Sequence, residues 1–406
     1  MPHCRICQTH YEPFISFGKM PIANGFLTPE QFKDEYFFDL KAGCCPNCHM
    51  VQIVEQPDHQ MMFHENYAFF SSTSTQMALH FKRFAESVVK DYLKSQDPLV
   101  VEIGSNDGIM LQHFVSEGIR HLGIEPSANV AQVAIDKGIE TVRDFFEKEL
   151  ALKLVEKYGQ ADAFLGANVM CHIPYIHSVI EGIKILLKPD GIVQFEDPYL
   201  GDVIENTSYD QIYDEHVFLF SVSSIKYLFD QHDMEVIDVK PQDTHGGSMR
   251  YIISRKGAYP ASVRVRQQLK KEEMLRLNES ETFEAFRNNC EHSKDSLMEL
   301  LNVIRQQGQR IVGYAATSKS TTIINYCGIT NSHIDFISDT TSLKHGKYSP
   351  GAHIPVRTHE EFTANYPDYA LLFAYNHAKE IMAKEKKFVE SGGKWILYIP
   401  EVQILK

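Results

Sequence analysis

Two closely spaced cysteine pairs, Cys4-x2-Cys7 and Cys45-x2-Cys48, constrain the start of this chain more tightly than any other feature. Of eight cysteines, five fall within the first 48 residues, Cys44 being the fifth. The opening stretch MPHCRICQTHYEPF has no apolar core of the kind a secretory signal needs. In a reducing compartment paired CxxC motifs favour zinc over disulfides, and a thiol cluster without metal is the competing reading. Zinc prefers four tetrahedral ligands, which two such knuckles supply. Cys4, Cys7, Cys45 and Cys48 are the expected set, because the second CxxC selects Cys45 over Cys44; His49 and His64 are alternative ligands. With four protein ligands no coordination position stays open, so the metal is expected to be structural. Residues 8–44 are more than a compact ribbon needs, which predicts an insertion between the knuckles.

The remaining chain reads as α/β. Leu99-Val100-Val101-Glu102-Ile103, Leu122-Gly123-Ile124, Ala163–Gly166 and Ile192–Phe195 have strand character, with a helical segment at Val130–Lys137 between the second and third. Such alternation predicts a parallel sheet. Before it, Leu79, Phe81, Phe84, Val88 and Tyr92 recur at mostly helical spacing. A charged helical stretch, 261–307, separates this series from a shorter α/β series that starts at Gln309 and ends at Trp395–Tyr398. The expected organisation is a zinc-binding module over 1–60, a Rossmann-like domain over 61–258 and a smaller α/β domain over 259–406. The 40 basic and 53 acidic residues leave a net charge of −13, a poor match to a nucleic-acid binder. No apolar stretch approaches the ~18 residues of a membrane span. A cytoplasmic protein with neither nucleic acid nor membrane as partner is expected.

Glu102-Ile103-Gly104-Ser105-Asn106-Asp107-Gly108 is a strand end running into a glycine-bearing turn. It is neither GxGxxG nor a P-loop, so it fits a dinucleotide or nucleoside triphosphate site poorly. It resembles instead the first motif of S-adenosylmethionine (SAM) methyltransferases, in which the acidic residue and the turn hold the methionine end. Gly104 and Gly108 would let the backbone approach the ligand. Glu125, closing the next strand, stands where a carboxylate accepts ribose hydroxyls in a doubly wound sheet. Asn168 follows a later strand at the same carboxyl edge, and Asp144-Phe145-Phe146 could flank the adenine as easily as serve as core.

The segment 209–221, YDQIYDEHVFLFS, gathers Tyr213, Asp214, Glu215 and His216 in four consecutive residues. An imidazole is the usual group for proton abstraction near neutral pH. A carboxylate beside it can orient the ring, and a phenol can hydrogen-bond an oxygen that becomes negative. Downstream, His245-Gly246-Gly247-Ser248-Met249-Arg250 is a glycine turn between a histidine and an arginine. In the carboxyl-terminal series, Thr317-Ser318-Lys319 opens a helix, and backbone N–H groups at such a start suit phosphate.

Taken in order, CRIC with the later CPNC, PIAN at 21–24, HENYAFFSSTS around Tyr67, EIGSNDG, NVMCHIP at 168–174, FEDPYLGD at 195–202 and YDQIYDEHVFLFS are similar to the zinc-containing, SAM-dependent sugar C-methyltransferases. The similarity continues through HGGSMR, GYAATSKSTT at 313–322, DTTSLKHGKYSPGAHIPV at 339–356 and FAYNH at 373–377, and so spans the chain. Those enzymes build C-3′-branched deoxysugars from nucleotide-linked 4-keto sugars. The resemblance implies zinc and SAM as cofactors, three domains, a dTDP- or GDP-4-keto sugar as substrate and a monomer. It implies His216 as general base beside Glu215, with Tyr213, Tyr67 and His172 near the sugar. Asn24, His245, Arg250, Thr317, Ser318, Lys319, Lys344 and Asn376 are implied to bind the substrate, with Lys347 and His377 as further candidates. The 4′-ketone acidifies the C-3′ proton; His216 would remove it, and Tyr67 or His172 would hydrogen-bond the enolate oxygen. O- or N-methylation of a nucleotide sugar is the alternative chemistry, and a non-catalytic sugar-nucleotide-binding protein the alternative class.

Overall fold

The computed structural model describes residues 1–63, 71 and 74–406. Strands come first from the amino-terminal module, as Pro13–Pro21 (β1), Phe37–Cys44 (β2) and Val51–Ile53 (β3). The central series is Leu99–Ile103 (β4), Arg120–Ile124 (β5), Thr141–Val142 (β6), Ala161–Ala167 (β7), Leu187–Pro198 (β8), Phe218–Leu219 (β9), Met234–Gln242 (β10) and Ser248–Arg255 (β11). The last series is Ile311–Tyr314 (β12), Ile337–Ser338 (β13), Val356–Arg357 (β14), Tyr369–Leu372 (β15), Lys394–Leu397 (β16) and Gln403–Leu405 (β17).

They form three sheets. The central one has the order β10-β11-β8-β7-β4-β5-β6, parallel from β8 to β6 and closed on its other side by antiparallel β11 and β10. Every residue of β4, Leu99-Val100-Val101-Glu102-Ile103, is buried, as expected of a strand covered by helices on both faces. The third sheet, β14-β13-β12-β15-β16-β17, is built the same way: parallel throughout except for its last strand. The linking helices are Val263–Met274 and Ser280–Gln306.

One flanking helix shows how pattern became packing. Thr75–Tyr92 starts at Ser74, whose side chain accepts from the Met77 N–H, and buries Phe81, Phe84, Ala85 and Val88 beneath the sheet residues Val100, Ala163 and Leu165. Phe81 to Phe84 and Ala85 to Val88 are three apart, and Phe81 to Ala85 and Phe84 to Val88 four apart, so the four make a single helical stripe. Leu79, expected on the same face, lies off that stripe and is 48% exposed.

The first sheet is not confined to the amino-terminal module. β3 pairs with β9, so Val51 and Gln52 lie opposite Leu219 and Phe218, and the Ile53 N–H donates to the Val217 carbonyl at 2.9 Å. That pairing lays residues 209–221 across the junction of all three sheets. From the other side, helix Ser318–Cys327 grips both partners: Thr321 Oγ1 donates to the Ala23 carbonyl at 2.8 Å and Thr322 Oγ1 to the Ile212 carbonyl at 3.1 Å. Among the described residues no helix is long and apolar enough to cross a membrane.

Candidate active site

The four knuckle sulfurs converge. Cys4 Sγ lies 3.5 Å from Cys48 Sγ, Cys7 Sγ lies 3.4 Å from Cys45 Sγ, and all four fall within 4.8 Å of one another. That is the set a tetrahedral zinc takes. Gln52 Nε2 and the Ile6 N–H donate to Cys4 Sγ at 3.1 and 3.3 Å, second-layer bonds that hold a thiolate in place. Cys44 turns to the Cys45 carbonyl, and His49 is not in the cluster. His64 and Tyr67 lie outside the described residues.

A cavity of about 480 Å³ opens between the carboxyl edges of the central and third sheets. Its central-domain wall includes Gly104, Asn106, Glu125, Phe145, Phe146 and Asn168. Gly104 takes φ +61°, and a Cβ there would meet the Val169 side chain at 2.7 Å, so only glycine suits this turn. Gly108 (φ +78°) does not reach the cavity; a side chain there would strike Ile139, and its conformation shapes the turn. Glu125 accepts the Asn106 and Ser127 N–H groups at 3.0 and 2.8 Å and faces the cavity. Burial raises its carboxyl above the ordinary range. Glu102 lies behind it, buried in β4, and is raised further by burial and by Glu125 and Asp107. A carboxylate at a strand end beside a glycine turn and an aromatic wall fits an adenosyl group. Phe146 also packs on Phe164, ring centres 5.0 Å apart, whereas Phe145 meets His59 edge-on at 4.5 Å.

The segment 209–221 supplies the far end. Tyr213 and Glu215 line the cavity; His216 is only 1% exposed and stands behind Tyr213. His216 Nδ1 is 2.7 Å from the Gln211 carbonyl, and Nε2 is 2.9 Å from the Tyr213 hydroxyl. A carbonyl only accepts, so Nδ1 carries the proton of the neutral ring and Nε2 is left to accept from the phenol. Burial, then the neighbouring His172, pushes His216 well below the ordinary histidine range. His172 lies 5.2 Å from it, ring to ring, lines the cavity and is itself lowered to about 3 by burial. Its Nε2 is buried with no hydrogen-bond partner among the described residues. Burial, with Glu215 adding repulsion, raises Asp214 well above the usual carboxylate range, and both its oxygens accept the Ala23 N–H at 3.2 Å. Glu215 Oε1 accepts from Asn24 Nδ2 at 2.6 Å, so the inserted segment of the zinc module reaches the end of the cavity lined by Tyr213 and Glu215.

Several residues expected to bind substrate are already engaged. Arg250 is buried, donates twice to Glu196 Oε2 at 2.9 and 2.7 Å and lies 3.6 Å above the Phe84 ring. It does not line the cavity, because β11 pairs beside β8 and turns its guanidinium toward Glu196 and Phe84. Lys319 Nζ donates to the His245 carbonyl at 3.1 Å and Lys344 Nζ to the Ala316 carbonyl at 2.7 Å; both line the cavity, and burial lowers both. Gln211, absent from the sequence expectations, shares the His245 carbonyl with Lys319. His245 itself takes φ +56° and approaches Asn168 Nδ2 at 3.4 Å. Thr317 caps its helix by accepting the Ser320 N–H at 3.2 Å, and Thr317, Ser318, Asn376 and His377 are on the third-domain wall; Lys347 is not.

Comparison with known proteins gives matches along the chain. Residues 4–63 match a family model for a zinc binding domain, 75–239 a methyltransferase domain, and 243–400 a C-methyltransferase C-terminal domain. The C-methyltransferase NovU of Streptomyces niveus is 34% identical over 406 residues, covering 99% of this chain and 96% of its own. Among solved structures, magnesium protoporphyrin IX methyltransferase from Synechocystis PCC 6803 with bound SAM is 12% identical over 45% of this chain and 79% of its own, at a TM-score of 0.33. The plantazolicin methyltransferase BpumL with bound S-adenosylhomocysteine is 12% identical over 45% of this chain and 84% of its own, at 0.34.

Proposed function

The chain belongs to the zinc-containing, SAM-dependent C-methyltransferases, and from that premise we propose that it methylates C-3′ of a nucleotide-linked 4-keto deoxysugar. SAM, when bound, supplies an electrophilic methyl on a sulfonium. The chain's own task is to make carbon nucleophilic. A sugar C–H is inert unless a neighbouring carbonyl can take up the charge, which is why a 4-keto substrate fits.

The observation that carries this reading is the Tyr213–His216 pair at the cavity wall. Direct abstraction by His216 was the sequence expectation; the geometry favours a relay instead. The Tyr213 oxygen takes the C-3′ proton as its own proton passes to His216 Nε2, and the imidazolium so formed keeps its Nδ1–H on the Gln211 carbonyl. His172 stays neutral and offers the enolate oxygen a hydrogen bond from the same wall. Asn24 holds Glu215, and Ala23 holds Asp214, which keeps the loop carrying Tyr213 rigid. The domain limits near residues 60 and 258 follow from the same assignment, with SAM against Glu125 and the nucleotide against the third sheet.

Incubation with SAM and dTDP- or GDP-4-keto sugars in deuterated water tests the proposal. The expected product carries one added methyl on carbon by NMR, and substrate without SAM exchanges the proton next to its ketone. Methylation on oxygen or nitrogen, or turnover without any such exchange or carbon methyl, would overturn it.

A further inference from the structure

Among the described residues, two groups of three or more histidine, cysteine or acidic side chains bring their ligand atoms within 4.8 Å of one another. One is the four-cysteine set of the knuckles. The other is Cys171, His172 and His216, gathered where the short turn Met170–His172 after β7 meets the segment leading into β9. One sulfur and two imidazole nitrogens are donors that suit zinc and not magnesium or calcium. Tetrahedral bonds to such atoms set them about 3.3–3.8 Å apart, so closing around an ion asks for side-chain shifts on the order of 1 Å.

The three groups are held ready for this. The His172 ring stacks on Phe63, ring centres 5.7 Å apart, and on His216 at 5.2 Å, while Gln56 of the zinc module donates to the His172 carbonyl at 3.3 Å. His216 keeps its Nδ1–H on the Gln211 carbonyl, which leaves Nε2 as the nitrogen with a lone pair. His172 Nε2 is buried without a hydrogen-bond partner among the described residues, and a buried polar atom in that state calls for one. Burial first, then the carboxyls of Asp197 and Glu215, pushes the Cys171 thiol well above its ordinary range. That negative charge opposes a bare thiolate but offsets a cation, and a thiol on a metal is deprotonated outright. His172 alone of the three lines the cavity, so an ion reaches the cluster from there. Three protein ligands leave a fourth position for water.

We propose that Cys171, His172 and His216 form a second metal site, which takes a thiophilic divalent cation such as Zn²⁺ from solution and stops turnover while it is filled. On binding, the Cys171 thiol loses its proton to solvent and the sulfur binds as thiolate. His216 Nε2 gives its lone pair to the metal and no longer accepts from Tyr213. The binding stands on the cluster itself; the loss of turnover rests on the reading above of Tyr213 and His216 as the proton acceptor.

Protein carrying one zinc per chain, in the knuckles, is titrated with Co²⁺ as a spectroscopic probe, and separately assayed with SAM and the 4-keto sugar nucleotide at rising Zn²⁺. A second metal equivalent is expected, with a thiolate-to-cobalt charge-transfer band and the first zinc retained. Zinc is expected to abolish turnover, and a chelator that strips only the second ion to restore it. Cys171→Ser, outside the proton relay, is expected to keep its turnover and lose the cobalt band. It should need at least about tenfold more zinc for half-inhibition, since loss even of a supporting partner costs a metal site roughly 10–100-fold. Wild type that takes no second cobalt, or takes one without a thiolate band, overturns the site whether or not the variant folds. So does zinc inhibition undiminished in a folded Cys171→Ser. A second cobalt bound through thiolate with turnover unchanged keeps the site and overturns the role given to His216 beneath it.

Discussion

The Tyr213 hydroxyl and His216 Nε2 lie 2.9 Å apart, and of the two it is the phenol that meets the cavity. Tyr213→Phe and His216→Asn should therefore both lower kcat, each by roughly 10²–10⁴-fold as for loss of a general base, with S-adenosylhomocysteine affinity within about twofold of wild type. Because burial holds His216 well below its ordinary range, the ring stays neutral and able to accept a proton at mildly acid pH. The acid limb of kcat should accordingly fall below the pH 6.5 of a free histidine. Full turnover in Tyr213→Phe alongside a dead His216→Asn would restore direct abstraction by the imidazole.

Asn24 reaches Glu215 across 191 positions of sequence. Removing the amide in Asn24→Ala should cost about 10-fold in kcat, the order seen when a supporting hydrogen bond is lost, and leave cofactor binding intact. A changed cofactor affinity with unchanged kcat would place Asn24 elsewhere in the reaction.

Zinc acts at a distance by the same route. Cys48→Ser, or chelation, should release the metal and lower Tm by about 5 °C, the effect of roughly 2 kcal/mol in a domain-sized unit. Turnover should fall with it, since Ala23 and Asn24 lie between the two knuckles in sequence and hold Asp214 and Glu215. Metal analysis with parallel activity and melting measurements checks this; a metal-free protein of normal activity would refute it.

Arg250 predicts a stability phenotype in place of a binding one. Arg250→Ala leaves the Glu196 carboxylate buried with His80 as its one remaining side-chain partner among the described residues, at a cost of about 3–5 kcal/mol for breaking a buried pair. Urea unfolding should show the loss. A variant of normal stability but raised KM for the sugar nucleotide would return Arg250 to the substrate.

His245 should leave its mark on the pH dependence of stability. Burial lowers it to about 3, with Lys319 and His377 adding repulsion. Between pH 6.5 and 3 the unfolded chain binds a proton there that the folded chain does not, so His245 makes the fold less stable as pH falls through that window. His245→Asn, a residue that tolerates φ +56°, removes this penalty. The variant should gain on wild type as pH drops from 6.5 to 4, by less than the one-proton slope of about 1.4 kcal/mol per unit because the ring is only half-buried. Parallel curves for the two proteins would show that the ring does not titrate in this range.

What could be read without coordinates was whatever covalent spacing controls. Two residues between cysteines set a metal knuckle, a glycine after a strand sets a left-handed turn, and a carboxylate one strand later sets the place of a ribose. The knuckles, the turn at Gly104 and Glu125 are all in these positions. The residues of 209–216 were visible as a cluster, but not the order in which they face the cavity, because a loop's spacing does not say which side chain points inward. That order came from the pairing of β9 with the zinc module's sheet and from the grip of helix Ser318–Cys327. Arg250 against Glu196, Asn24 against Glu215 and the gathering of His216 with Cys171 and His172 likewise depend on elements brought together from separate parts of the chain. Sequence alone determined the local chemistry, since bonds and short turns carry it; tertiary structure decided which groups share a cavity, since that depends on how three sheets pack.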